Sequence, residues 1–131
     1  MLLLAVRALY VGKEIESTTR IMGYDIHITR KEFWADEDGP QISFDEWQNY
    51  LAKDPTIKDD PENPGEENYI LTSHPEKWPI WWNSSGEIYT KNPDPKVITK
   101  FVEIARAMQA RVQGDDGEEY GLDPDDPTKP S

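Results

Sequence analysis

Asn92-Pro-Asp-Pro95 opens the segment that most restricts how this chain can fold. Asp94 carries the side chain of a helix N-cap, and Pro95 stands at the first helical position, where its missing N–H costs nothing. Val97, Phe101, Ile104, Ala105 and Met108 then recur at helical spacing, which predicts a helix from Lys96 to about Gln109 with one buried stripe. Ala110-Arg-Val-Gln-Gly114 follows with almost no connection and reads as a closing strand. A second helix start lies upstream. Ser43 and Glu46 form a capping box, with Ile42 and Trp47 at the hydrophobic-staple positions. Phe44, Trp47 and Leu51 continue one apolar face until the helix stops before Pro55.

The strands announce themselves by alternation. Tyr24-Asp-Ile-His-Ile-Thr-Arg30 places Tyr24, Ile26 and Ile28 on one side, the pattern of a strand buried on one face. Tyr69-Ile-Leu71 is a short strand candidate. Pro79-Ile-Trp-Trp-Asn83 and Glu87-Ile-Tyr-Thr-Lys91 flank Ser84-Ser85-Gly86 as a hairpin with a longer turn. Asp116-Gly117 is a tight-turn pair able to fold Glu118-Glu-Tyr120 back beside the closing strand. Residues 35–40 read as a turn, and residues 54–68, rich in Pro, Asp, Glu and Asn, as a long surface loop. The order β-α-β-β-β-α-β predicts an α+β domain: a mixed sheet of about four to five strands with two helices on one face. There is no internal repeat.

Residues 22–120 form the expected domain. Residues 1–21 read as an N-terminal extension with Met22 as the natural start. Their apolar run begins at Met1 and is broken by Arg7, without the basic region that precedes the apolar stretch of a secretory signal. A cytoplasmic location is expected. Residues 121–131 pack three Pro and three Asp and are expected to be a mobile acidic tail.

Charge is the dominant compositional feature. The chain has 26 acidic and 14 basic side chains, a net charge of −12 over 131 residues. Residues 22–120 alone hold 21 acidic and 10 basic residues, so the acidity belongs to the expected domain. Aromatic residues make up 11 %, with five Trp, which argues for a core under an acidic surface and against disorder. Nucleic acid is disfavoured as a partner, because phosphates demand Lys and Arg. No apolar run approaches the roughly 20 residues of a membrane span. Without cysteine there is no thiolate nucleophile, disulfide or Cys-ligated metal.

Few residues suggest chemistry. The histidines are His27 and His74, and each reads as a satisfied or solvent-facing side chain. No nucleophile elbow or phosphate-cradling loop is present. Trp34 to Asp45 places Asp36, Asp38 and Gly39 where a calcium-binding EF-hand loop has its third, fifth and sixth residues. The first and twelfth positions, Trp34 and Asp45, lack the expected ligands, so a capped turn is the better reading and no metal is expected. Carboxylates at Asp25, Asp36, Asp115 and Glu118 would support a hydrolase only if two converge in a cleft and one has a raised pKa. Asp115-Asp116-Gly-Glu118-Glu119 otherwise reads as a hairpin tip that is solvated or meets Lys and Arg of a partner. Trp81 and Trp82 point to opposite faces of their strand. One packs under the helices, and the other is either covered by the long loop, a contact anchor, or a sugar-stacking platform.

Met22-Gly-Tyr-Asp-Ile-His-Ile-Thr-Arg30, Ile42-Ser-Phe-Asp-Glu-Trp47, Ile88-Tyr-Thr-Lys-Asn-Pro93 and Ala110-Arg-Val-Gln-Gly-Asp-Asp-Gly-Glu-Glu-Tyr120 together resemble a group of small acidic, mostly uncharacterised bacterial proteins. That group is similar in size and character to the immunity proteins of polymorphic and contact-dependent toxin systems. The resemblance spans about 22–120 and implies no catalytic residue and no cofactor. It implies a binding protein, and the acidity of residues 22–120 makes a basic protein, such as a toxin domain, the expected partner. The expected contacts are Asp36, Glu37 and Asp38 of the first turn, Asp115, Asp116, Glu118 and Glu119 of the second, and an exposed Trp81 or Trp82. The alternatives are a small carboxylate-based hydrolase and a metal- or sugar-binding module.

Overall fold

The computed structural model describes residues 24–131. The expected extension and the start at Met22 lie outside the described residues. Nine elements follow in order: β1 (Asp25–Thr29), α1 (Phe44–Leu51), β2 (Ile57–Asp59), β3 (Asn68–Leu71), β4 (Trp78–Asn83), β5 (Glu87–Lys91), α2 (Pro95–Ala107), β6 (Arg111–Gly114) and β7 (Glu119–Tyr120). The α+β class is as expected, but the sheet differs in two ways. It has seven strands, in the order β2-β3-β4-β5-β1-β6-β7. Every neighbouring pair is antiparallel, so it is not mixed.

Both departures have local causes. β2 lies inside the segment expected to be loop: three residues long and paired only to β3, it is too short to show a period, and Ile57 is its single buried side chain. β5 and β6 both run antiparallel to β1, which sits between them. The α2 crossover therefore joins two strands of like direction that never touch. A pair of parallel strands needs such a crossover, which is why the helix suggested a mixed sheet.

The helix starts form as their side chains dictate. Ser43 Oγ accepts from the Glu46 N–H at 3.1 Å while Glu46 Oε1 accepts from the Ser43 N–H at 3.0 Å. Asp94 accepts from the Val97 N–H at 2.9 Å. The buried stripe of α2 joins Ile26, Ile28, Ile88, Val112 and α1 Trp47 in one core. At the β4–β5 turn, Gly86 has φ +85° and its carbonyl accepts from the Ile42 N–H at 2.9 Å; a Cβ there would fall 2.3 Å from Gln41 Cβ. This close approach ties the hairpin to the entry of α1.

Residues 121–131, expected as a mobile tail, are placed as turns lying back on β7. Asp123 and Asp126 accept from the N–H groups two residues on, at 2.8 and 3.0 Å, the turn chemistry of Asp. Glu119 and Ser131 exchange backbone hydrogen bonds of 3.1 and 2.9 Å. No helix among the described residues is long and apolar enough to cross a membrane.

Candidate partner-binding face

The sheet has a second face, turned away from the helices, and alternation decides what lies on it. With Ile26 and Ile28 in the core, His27 projects outward from β1. Its register partners are Tyr89 on β5 and Gln113 on β6, and Tyr89 is in turn paired with Trp81 on β4. The rings form a continuous row. Trp81 stacks on Tyr89 at 5.4 Å, Tyr89 lies 6.4 Å from His27, His27 stacks on Trp34 at 3.8 Å, and Trp34 lies 5.7 Å from Phe33.

Trp34 comes from the loop after β1, and Gln113 holds that loop in place. Gln113 Oε1 accepts from the Trp34 N–H at 2.8 Å, and its amide donates to the Glu32 carbonyl at 2.7 Å. Trp34 Nε1 donates to the Asp115 carbonyl at 3.1 Å. Trp34, the first residue of the segment read against an EF-hand loop, thus covers His27 on the outer face. Asp36 Oδ2 accepts from the Phe33 N–H at 3.2 Å, and buried Lys31 donates to the Asp36 carbonyl at 2.8 Å.

Under Trp34, His27 is only 2 % exposed. Its Nδ1 lies 2.6 Å from Glu87 Oε1 and its Nε2 3.0 Å from Asp115 Oδ1. An imidazole with a carboxylate on each nitrogen is best satisfied as the imidazolium, which donates twice. Burial alone would lower its pKa, but the hydrogen bonds and charges of Asp115 and Glu87 outweigh burial and raise it. Asp115 answers in the opposite sense: burial raises its carboxyl, but His27 and the Asp25 N–H hold it below the ordinary value. The Tyr89 phenol is pushed up by burial and by Glu87, Glu67 and Asp25, a measure of how negative the face is.

Catalysis by these groups meets two obstacles. Neither nitrogen of His27 is free to take a proton. Asp25 and Asp115 do converge, as a carboxylate hydrolase requires, but Asp115 has a lowered pKa where a general acid needs a raised one. His74 is also internally satisfied, with Nε2 2.7 Å from Asp94 Oδ2 and Nδ1 accepting from the Glu76 N–H at 3.0 Å. A cleft of about 490 Å³ lies elsewhere, between α2 and β6–β7. Its Arg30, Arg106 and Arg111 are each bonded to a backbone carbonyl.

The two acidic turns expected from the sequence meet in space. Phe33, between them, lies against Gly117, where a Cβ would stand 3.3 Å from its ring. Glu37, Asp38 and Asp116 are exposed, as is Asp36. Three other carboxylates are engaged within the fold: Asp115 holds His27, Glu118 accepts from the Tyr24 hydroxyl, and Glu119 faces Arg111 at 3.8 Å. Trp81 is the outward tryptophan. Trp82 is on the helix side, its Nε1 donating to the Ile42 carbonyl at 3.1 Å and its ring 5.3 Å from Phe44, so it is not a surface anchor. Phe33, 36 % exposed, was not singled out by the sequence, because a lone aromatic beside a turn has no periodic signature. Comparison with family models, with curated proteins and with solved structures finds no match to this chain.

Proposed function

We propose that the chain is a non-catalytic acidic binding protein, an immunity-type inhibitor that covers a basic surface of a partner toxin domain. The observation that carries this reading is the exposed Phe33 ring at the junction of two acidic turns. An aromatic anchor ringed by carboxylates combines desolvated contact area with attraction for Lys and Arg. Exposed Asp36, Glu37, Asp38 and Asp116 supply the charge, and the row from Phe33 to Trp81 extends the contact across the sheet. Cationic side chains of the partner would also find aromatic faces there.

The test is association with a toxin-like domain encoded beside this chain, measured by calorimetry at about 50 mM and about 300 mM NaCl, a range over which the Debye length falls by somewhat more than half. Expected are tight binding at low salt, a weaker complex at high salt, and at least about a tenfold loss in Phe33→Ala, in the range of a hot-spot truncation. Failure to bind, or binding insensitive to both salt and Phe33→Ala, would overturn the proposal.

A further inference from the structure

Beside the aromatic row, Asp25, His27 and Asp115 bring one ligand atom each to within 4.8 Å of one another. We propose that these three side chains form a site for a first-row divalent cation, with Zn²⁺ the best match. The site is independent of the partner-binding reading, since it needs no second protein.

Three observations support it. The first is the donor set. One imidazole nitrogen with two carboxylates is a borderline N/O environment, suited to zinc more than to calcium or magnesium, which prefer all-oxygen shells. Asp25 and Asp115 approach Nε2 of His27 from neighbouring backbone positions, because the Asp115 carboxylate is itself anchored on the Asp25 N–H at 3.0 Å.

The second is the support behind the imidazole. Glu87 Oε1 lies 2.6 Å from Nδ1, and Asn83 donates to Glu87 Oε2 at 3.0 Å. A carboxylate on the far nitrogen fixes the ring and the tautomer that presents Nε2 as a ligand, the arrangement that holds histidines on zinc in known sites. Trp34, stacked at 3.8 Å and 6° from parallel, prevents the ring from turning. The nitrogen is therefore held in place before any cation arrives.

The third is charge and access. Asp25, Glu87 and Asp115 are balanced by the imidazolium and by Lys91, whose ammonium is 3.5 Å from Asp25. If all five are ionised, one negative charge remains. A divalent ion in place of the Nε2 proton, which leaves to solvent, brings the group to neutrality. Asp25 and Asp115 keep 22 % and 34 % of their side-chain surface exposed, so the ion has a way in and water can complete its shell. Three protein ligands plus water is the open form of a zinc site.

The experiment is calorimetric titration of the full chain, freed of metal by EDTA and desalted, with ZnCl₂ and separately with MgCl₂ and CaCl₂. Expected are one Zn²⁺ per chain at micromolar affinity or better, and binding of Mg²⁺ and Ca²⁺ about a hundredfold weaker or more. Asp25→Asn is the deciding variant, because its side chain supports no buried group; it should weaken Zn²⁺ by about tenfold or more while the far-UV spectrum stays unchanged. Glu87→Gln should cost about 10–100-fold through the ring it positions. His74→Gln, away from the site, should leave the affinity unchanged. Co²⁺ should give a visible absorption band in the wild type that is absent in Asp25→Asn. No Zn²⁺ binding at millimolar concentration, or binding of equal strength in Asp25→Asn, would overturn the site. The second result would locate the ion elsewhere on the acidic surface.

Discussion

Replacing Glu87 is the sharpest probe of how the outer face is built. Glu87 is 8 % exposed and spends its two oxygens on His27 and on the Asn83 amide. In Glu87→Ala both donors lose their acceptor, and the imidazolium keeps only Asp115. Breaking a buried charged pair outright costs about 3–5 kcal/mol. Because Asp115 remains, and is itself partly solvated, the expected loss is smaller, about 2–3 kcal/mol. Glu87→Gln preserves shape and one hydrogen bond to Nδ1 but removes the charge. The difference between a charged and a neutral hydrogen bond sets its cost at about 1–1.5 kcal/mol. For a domain of this size each kcal/mol moves the melting temperature by about 4–8 °C. The variants should therefore melt roughly 5–10 °C and 10–20 °C below the wild type, Gln above Ala. Urea unfolding followed by tryptophan fluorescence gives the free energies, provided the slopes agree among the three proteins. A Glu87→Ala protein within about 0.5 kcal/mol of the wild type, the ordinary range for a surface substitution, would refute the pairing of Glu87 with buried His27.

Asp54 supplies a pH dependence. Burial alone would raise its carboxyl, but the Lys100 ammonium at 2.8 Å and the hydroxyls of Thr56 and Tyr50 hold it well below the carboxylate range. A depressed folded pKa contributes stability in full above the unfolded value, about 3.9, and loses it as pH falls toward the folded value. The gap between wild type and Asp54→Asn should thus be constant, at about 2–3 kcal/mol, from pH 5 to 7 and shrink below about pH 4 in acid titrations of unfolding. Gly86→Ala should cost at least about 2 kcal/mol in the same denaturation assay, because a positive φ and a clash with Gln41 act together. Asp116→Lys should slow association with a basic partner in stopped-flow measurements at low salt and leave dissociation nearly unchanged, since an exposed charge steers more than it holds.

Much of the fold was legible because its signals are local. The capping box at Ser43, the Asp94-Pro95 start, the stripe of α2 and the alternation of β1 each involve residues within a few positions of one another. β2 was not legible: an edge strand of three residues carries no period, and its pairing with β3 is a tertiary event. Nor was strand order, because β1 enters between β5 and β6 from the far end of the sequence. The candidate face was half legible. Its acidic turns and one outward tryptophan were expected, but which of Trp81 and Trp82 faces out was decided only by the register that sets Trp81 opposite Tyr89 and Trp82 opposite Ile88.

His27 marks the boundary between the two levels. The sequence by itself determined that a histidine would stand on the side of β1 opposite Ile26 and Ile28, since alternation leaves no other choice, and that the domain around it would be acidic. Only the tertiary structure decided that this histidine would be buried and held between Glu87 and Asp115, residues 60 and 88 positions away. Periodicity reports the direction in which a side chain points. What it meets there depends on register between strands distant in the chain and on a loop, led by Trp34, that folds back to exclude water.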